Sequence, residues 1–330
     1  MDIHMSKKEL TEKENLHLVL EGRTPQWVPS FMDACSFVSS VAIGRKKDPK
    51  TGLMVDVFGT EFTSTIDGPM VNHTKQGGFR LKDITKWKEI MPDIDLSAID
   101  WEEDANIVRN KLTKPGQAIN YTGAWLWEQM HYMMGFENAL ASLVEEPEAS
   151  FELLNALADF YIEALKYACK YLKPDMIMVQ DHVATHKGLL ISPKTFRELI
   201  KPVEKRVVDA ILEIGAYPEI HVDGNIEAII GDYAEIGFKV IQPFQVFNDI
   251  NRAKVKYSMT AIGGWDAFGP GNQEDSTEEE IRASVRLAID TYAPGGRYVF
   301  WESGATDAFP ETVRIIRDEA RIYGHQYYNK

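Results

Sequence analysis

The sequence has only two cysteines in 330 residues, Cys35 and Cys169, which lie far apart and in no metal-binding or redox spacing. A disulfide framework is therefore not expected, and any metal site must use mainly nitrogen and oxygen ligands. Long apolar runs are also missing: none approaches the roughly 20 residues of a membrane span, and no apolar signal core opens the chain. These absences predict a cytoplasmic protein that does not enter membranes.

Basic residues are too few to balance the acidic ones. The 36 Lys and Arg residues stand against 50 Asp and Glu residues, which gives a net charge of −14. Such an excess of negative charge favours solubility and disfavours binding to phosphate backbones or anionic lipid. Nucleic acid is therefore not an expected partner.

The N-terminal segment predicts a helix ahead of the main fold. Residues 1–5 are typical of a cloning scar before a second start at Met5, and they are left out of the fold prediction. Ser6 and Glu9 have capping-box spacing, and the amphipathic stretch that follows extends to about Leu20. From there to about Pro115 the pattern is mixed, with a strand or hairpin predicted around residues 55–65.

After Pro115, short apolar runs alternate with helix-length segments. The long helical pattern covers residues 147–172, and the predicted strands cover residues 118–122, 176–180, 220–223, 239–242, 259–263 and 299–301. Alternation of this kind implies parallel strands joined by right-handed crossovers. No Gly-x-Gly-x-x-Gly turn follows any strand, which argues against a dinucleotide-binding open sheet. We therefore predict an α/β fold, a (β/α)8 TIM barrel with an N-terminal helical extension, as a single domain over residues 1–330.

Polar residues follow the predicted strands, and in such barrels these positions line the active site. They are Gln180, Asp181, His182, His221, Asp223, Gln242, Asp266 and Glu302. His221 and Asp223 are two apart, so on an extended strand both project from one face and could hold Zn²⁺ or another borderline cation. A His–Asp hydrogen bond that stabilises the turn before Gly224 explains the pair equally well.

Glu302 is the candidate for a third metal ligand. It lies between Trp301 and Ser303, where a carboxylate is costly to bury unless it is paired, metal-bound or protonated. A hydrogen-bonded glutamate at the barrel rim is the alternative. Asp181 and His182 could supply a base or a further ligand, and Asp181 could equally cap a helix.

Aromatic residues and methionines are concentrated in residues 125–134. Trp125 and Trp127, together with Trp265, could enclose a planar apolar substrate, and Gln242 could contribute a polar contact to it. Core packing explains the aromatic and methionine cluster equally well. Both interpretations stay open at this point.

Several motifs together resemble the uroporphyrinogen decarboxylase superfamily. They are Asp56-Val57-Phe58-Gly59, Thr122-Gly123-Ala124-Trp125, residues 135–140, Glu146-Pro147-Glu148, Asp181, residues 188–196 and His221-Val222-Asp223-Gly224-Asn225. The resemblance covers most of the chain. It is stronger to the corrinoid-dependent methyltransferase branch, because Gly22-Arg23-Thr24-Pro25 is only weakly similar to the Arg-rich segment of true decarboxylases.

In the thiol-directed methyltransferases of this superfamily, zinc is held by a His-x-Cys motif and a later Cys. Here the first pair aligns with His221 and Asp223, and the later Cys falls at Ser303, beside Glu302. Both thiolates are missing, and harder oxygen ligands leave a zinc ion that is better suited to polarising an ether oxygen.

The chain thus resembles the O-demethylase methyltransferases of anaerobes. These move a methyl group from a methyl ether, often aromatic, to the cob(I)alamin of a separate corrinoid protein. The resemblance implies Zn²⁺ on His221, Asp223 and Glu302, and substrate orientation or proton delivery by Asp181 or His182.

Two alternatives remain. One is decarboxylation of a porphyrinogen or another carboxylated substrate, with Asp181 stabilising a cationic intermediate. The other is a non-catalytic barrel that binds a corrinoid protein or a small ligand after losing its metal.

Overall fold

The structure is a computed structural model that describes residues 10–64, 72–74, 78–303 and 309–328. The proposed scar at 1–5 and the capping box at 6–9 lie outside the described residues. No helix in the described ranges is both long enough and apolar enough to cross a membrane.

The described residues form short strands and longer helices that alternate along most of the chain. The strands are β1 Cys35–Val38, β2 Lys46–Lys47, β3 Met54–Val55, β4 Glu61–Ser64, β5 Asn72–Thr74, β6 Ala118–Ala124, β7 Met176–Gln180, β8 Ala184–Thr185, β9 Gly188–Leu189, β10 Tyr217–His221, β11 Val240–Phe244, β12 Thr260–Gly264 and β13 Tyr298–Trp301. The helices are α1 Glu12–Leu20, α2 Phe31–Ala34, α3 Trp87–Ile90, α4 Trp101–Leu112, α5 Trp127–Met134, α6 Phe136–Glu145, α7 Pro147–Leu172, α8 Pro193–Thr195, α9 Lys201–Ile214, α10 Ile230–Ile236, α11 Ile250–Tyr257, α12 Glu278–Tyr292 and α13 Pro310–Tyr327.

The main sheet has seven strands among the described residues, in the order β1-β6-β7-β10-β11-β12-β13. β7 pairs in parallel with both β6 and β10, and β12 pairs in parallel with β11 and β13. This order follows the chain without the reversal that a doubly wound sheet has at its switch point. The fold is therefore α/β and TIM-barrel-like, and the prediction is confirmed.

The strand β7 is buried because it is largely apolar. Residues Met176–Val179 of β7 are fully buried, as expected for a parallel strand that is covered on both faces. Most predicted boundaries agree with the structure, and α7 begins and ends where its periodicity predicted. The largest difference is at β10, which runs from Tyr217 to His221 and not over residues 220–223, so Asp223 lies in the loop beyond the strand.

A small antiparallel sheet follows β1, in the order β2-β3-β4-β5. Its β3–β4 hairpin confirms the strand or hairpin predicted around residues 55–65, up to Ser64, where this stretch of described residues ends. The hairpin turn is fixed by Asp56, whose Oδ1 accepts the Thr60 N–H at 2.8 Å. The turn therefore gives residues 56–58 a defined position.

The N-terminal helix is confirmed, and it carries its own capping box. The Thr11 hydroxyl accepts the Glu14 N–H at 3.1 Å, and the Glu14 carboxylate accepts the Thr11 N–H at 2.8 Å. These reciprocal bonds satisfy donors that a helix start otherwise leaves open. The described helix thus begins at Glu12, after a capping box at residues 11–14.

The chain divides into two compact units, each assembled from separate segments. The first comprises residues 1–36, 114–119 and 239–330, and the second comprises residues 37–113 and 120–238. The single-domain organisation of residues 1–330 stays a prediction.

A buried carboxylate joins α12 to α13 within the first unit. Glu319 Oε2 lies 2.9 Å from Arg282 Nη1, and Glu319 Oε1 lies 2.9 Å from Arg286 Nη1. The Glu319 side chain is only 7% exposed. Both oxygens of a buried acid are therefore paired with guanidinium groups, which makes this contact costly to break.

We predict that Glu319→Ala lowers the free energy of unfolding by about 2–4 kcal/mol, because two partly buried arginines lose their shared acceptor. Urea denaturation measures the change. The control is Glu311→Ala in the same helix, whose ion pair with Arg314 is well exposed and should contribute less than about 1 kcal/mol. Equal losses in the two variants would contradict this account.

Candidate metal centre

Asp181 directly follows β7 and caps the start of α5. Its Oδ1 accepts the N–H groups of Leu126 and Glu128, at 3.0 and 3.2 Å, and its side chain is completely buried. Acidic side chains at a helix N-terminus stabilise open N–H groups and the helix dipole. The structure thus contains the contacts expected if Asp181 caps a helix. The catalytic role of Asp181 stays a prediction.

Glu128, in the first turn of α5, lies between two histidines. Its Oε1 bonds to His182 Nδ1 and accepts the His182 backbone N–H at 3.1 Å, while its Oε2 lies 2.7 Å from His131 Nε2. Burial would raise the pKa of Glu128, but the hydrogen bonds from both histidines hold it well below its usual range. A buried, ionised carboxylate therefore orients the His182 ring.

His182 brings its other ring nitrogen to the loop after β10. His182 Nε2 lies 2.9 Å from Asp223 Oδ2, and the His182 and His221 rings meet edge-on with centroids 5.0 Å apart. Ligand atoms of His182, His221 and Asp223 all lie within 4.8 Å of one another. These three side chains form a group that could hold a metal ion.

The pKa shifts within the group favour a positive charge on His182 and a negative charge on Asp223. Burial would lower the pKa of His182, but its bonds to Asp223 and Glu128 raise it to about 10. Burial would likewise raise the pKa of Asp223, yet the bond to His182 lowers it below its usual range. His182 is thus held between two carboxylates.

The donor set fits zinc. Two imidazoles and one carboxylate match the three protein ligands of catalytic zinc sites, which leave a fourth position for substrate or water. The bond from His182 Nδ1 to Glu128 is the carboxylate–histidine arrangement that fixes the tautomer of a metal-binding histidine. Non-haem iron accepts the same donors, so chemistry alone leaves the ion open.

The loop that carries Asp223 is fixed by a glycine. Gly224 has a φ of +97°, and a Cβ at this position would lie 2.6 Å from the Thr185 carbonyl oxygen. The next residue, Asn225, donates its N–H to the same oxygen at 2.8 Å. A residue without a side chain is therefore needed for the loop to pack against Thr185.

A cavity of about 660 Å³ opens beside this group, entirely within the second unit. His182, Asp223 and Gln180 belong to its wall. Much of the remaining wall is aromatic: Phe58, Tyr121, Trp125, Tyr132, Phe160 and Tyr161. A space of this size and lining suits a small aromatic molecule.

The residues predicted to bind substrate are divided between the two units: Trp125 and Trp127 belong to the second, and Gln242 and Trp265 belong to the first. Trp125 lines the cavity and donates its Nε1–H to Gln180 at 3.3 Å. Trp127 is fully buried, and its Nε1–H bonds to the His182 carbonyl at 3.2 Å. Gln242 and Trp265 belong to the first unit, where both are buried and Trp265 Nε1 donates to Ser284 at 2.9 Å.

The predicted third ligand, Glu302, also belongs to the first unit. Its Oε1 lies 2.6 Å from Arg317 Nε, and the side chain is buried. The ion pair with Arg317 offsets part of the free-energy cost of burying the Glu302 carboxylate. The sequence thus placed His221 and Asp223 together, and the structure adds His182 to them.

Glu128 and Arg45 are two polar residues of the site to which the sequence analysis gave no role. Glu128 is hidden among aromatic residues and methionines, although an acidic residue in an otherwise apolar helix is a usable signal. Arg45, which lines the cavity, lies in the stretch of mixed pattern that yields few predicted elements.

Comparison with known proteins identifies the family. Residues 107–305, more than half of the chain, match the family described as uroporphyrinogen decarboxylase (URO-D). The chain therefore belongs to the uroporphyrinogen decarboxylase family.

Among solved structures, the chain is similar in fold to a methyltransferase from Methanosarcina mazei, with a TM-score of 0.64 and 16% sequence identity over 96% of this chain and 99% of that one. A Xaa-Pro dipeptidase with bound methionine also matches, at a TM-score of only 0.34 and 12% identity over 67% of this chain and 57% of that one. The second likeness is too low to inform the fold. No curated protein sequence matches the chain.

A second buried acid, Glu204, interacts electrostatically with Asp181. Glu204 of α9 is completely buried, and neither of its carboxylate oxygens has a hydrogen-bond partner among the described residues. Burial, and then the charge of Asp181, raise the pKa of Glu204 well above its usual value. The neutral form of Glu204 is therefore favoured in the folded protein.

A raised pKa in the folded state means that stability is highest at low pH and declines as pH rises through the folded value. We predict that the free energy of unfolding falls between about pH 5 and pH 8, and that Glu204→Gln reduces this fall. Urea denaturation at both pH values measures the difference. Glu213→Gln, an exposed site on the same helix, should leave the fall unchanged; an equal effect of the two substitutions would argue against the prediction.

Proposed function

We propose that this protein is a methyltransferase that moves a methyl group from a methyl ether, an aromatic one, to the cob(I)alamin of a separate corrinoid protein. The observation that carries the proposal is a thiolate-free group of His182, His221 and Asp223 beside a cavity with aromatic walls. The family and the similar fold of a methyltransferase from Methanosarcina mazei support the same reaction class.

Zn²⁺ is the metal that we propose for His182, His221 and Asp223. When bound there, it would supply a Lewis acid for the ether oxygen of the substrate. A nitrogen and oxygen donor set leaves zinc more electrophilic than thiolates do, which suits activation of an ether rather than a thiol. Both cysteines of the chain are buried elsewhere, at positions 35 and 169.

The residues of the chain position the substrate and exclude water. Trp125 and Tyr161 meet at a centroid distance of 5.8 Å, and Phe58 and Phe160 meet at 5.0 Å, so tilted rings form the cavity wall. Such rings bury a planar substrate and hold it in one orientation. A cobalamin-carrying partner would then dock over the cavity to receive the methyl group.

We predict that purified protein retains about one zinc ion, and that His182→Ala and His221→Ala both lose zinc and most methyl transfer to cob(I)alamin. Elemental analysis after dialysis and a methyl-transfer assay with methoxylated aromatics measure the two effects. The Glu302→Gln variant distinguishes His182 from Glu302 as the third ligand beside His221 and Asp223. This variant should keep its zinc if His182 is the third ligand.

Unchanged zinc content and methyl transfer in both histidine variants would refute the assignment. Wild-type protein without stoichiometric metal would instead favour a non-catalytic barrel. Release of CO₂ from a carboxylated substrate, without methyl transfer, would favour decarboxylation.

We predict that Glu128→Gln weakens zinc binding by roughly 10- to 100-fold, because His182 loses the carboxylate that orients its ring. Competition with a chromogenic chelator measures the affinity. Glu137→Gln, at an exposed position of the neighbouring helix α6, is the matched control and should bind zinc like the wild type. Equal zinc affinities for the wild type, Glu128→Gln and Glu137→Gln would show that Glu128 has no influence on the metal.

A further inference from the structure

One cation, Arg45, faces the cavity without an ion pair among the residues that the structure describes. It follows β1 and lines the cavity wall together with His182 and Asp223. Its guanidinium carbon lies 3.6 Å from the ring centroid of Phe62 and 5.3 Å from that of Tyr132. Aromatic faces hold a guanidinium in place while its N–H donors stay available for an anion.

The backbone that leads to Arg45 is firmly held. Asp104 Oδ1 accepts the N–H groups of Val41 and Ala42, each at 2.8 Å, and Ser40 Oγ accepts those of Ala42 and Ile43 at 3.1 and 3.2 Å. Asp104 is buried, at 5% exposure. Because the loop is fixed before any ligand arrives, little ordering entropy is lost when Arg45 binds one.

The neighbouring carboxylate in the cavity wall, Asp56, is engaged elsewhere. Its Oδ2 accepts the Gln129 side chain at 2.9 Å, and its Oδ1 accepts the Thr60 N–H at 2.8 Å. Asp56 experiences the charge of Arg45 but forms no ion pair with it within the described ranges. The Arg45 side chain also hydrogen-bonds Tyr132, and no acidic side chain among the described residues pairs with it, so its other N–H donors can bind an anion from outside the chain.

The cavity wall therefore combines aromatic rings with charges of both signs. Asp223 would repel a substrate carboxylate, and Arg45 would attract one. A planar carboxylate also matches the paired N–H donors of a guanidinium. Among aromatic ethers, the site thus favours those that carry a carboxylate on the ring.

We propose that Arg45 binds the carboxylate of an aromatic methyl ether acid and so determines which ethers enter the cavity. This inference rests on the proposed function for the identity of the ether group. The recognition of an aromatic carboxylate depends only on the cavity and on Arg45.

Calorimetry on the purified full-length chain tests the proposal without a corrinoid protein. The probes are 3-methoxybenzoate and its neutral counterpart 3-methoxybenzamide, each titrated into wild type, Arg45→Gln, Arg45→Lys and the control Lys47→Gln. Lys47 is an exposed cation two residues away in β2. We expect the wild type and Lys47→Gln to prefer the benzoate by about 10- to 100-fold, because a charge-assisted bond is lost with the amide.

Arg45→Gln should lose this preference and keep its affinity for the amide, while Arg45→Lys should retain part of it. A preference that survives in Arg45→Gln, or that is missing from the wild type, would overturn the proposal. Failure of methyl transfer with a preserved, Arg45-dependent preference would overturn the proposed function alone. Methyl transfer from neutral and anionic ethers at equal efficiency would overturn the role of Arg45 alone.

Discussion

The buried carboxylate of Glu128 connects the parts of the site to one another. Asp181 accepts the Glu128 N–H at 3.2 Å, and Glu128 in turn bonds to His182 and to His131. The ring of His182 is therefore oriented by residues that approach from β7 and from α5. A buried carboxylate costs free energy unless its oxygens are hydrogen-bonded, and here two imidazoles and a backbone N–H bond to them. Any change to this carboxylate therefore affects the group formed by His182, His221 and Asp223.

The strand order also explains which segments of the chain supply the polar and aromatic residues of the cavity wall. Parallel strands end together, so the residues after β7 and β10 converge on one wall, whereas the loop after β1 and the β3–β4 turn supply Arg45 and residues 56–58. The rings exclude water and strengthen the electrostatic contacts at the wall. An aromatic substrate with both a neutral ether and an anionic group would match both features.

Much of the fold could be predicted because buried parallel strands are largely apolar, and residues 176–179 are a clear example. His221 and Asp223 could be found because polar residues after strands meet at one end of the sheet. The third member of the group, His182, was predicted as a base or a further ligand but was not combined with His221 and Asp223, since sequence spacing does not reveal which neighbouring strand ends approach. Glu302 was predicted as a ligand because a carboxylate is costly to bury there, and the sequence did not reveal its ion pair with Arg317 of α13; its ligand role stays a prediction. Arg45 was missed because loops held by side chains such as Asp104 have no periodic pattern.

The central claim is that zinc binds to His182, His221 and Asp223. Crystals grown with zinc, with diffraction recorded on both sides of the zinc absorption edge, would locate the ion by its anomalous signal. The account predicts a single peak bonded to one nitrogen of each histidine and to an Asp223 oxygen, with Glu302 still paired to Arg317. A peak on Glu302, or a structure in which His182 stays bonded to Asp223 with zinc elsewhere, would contradict it.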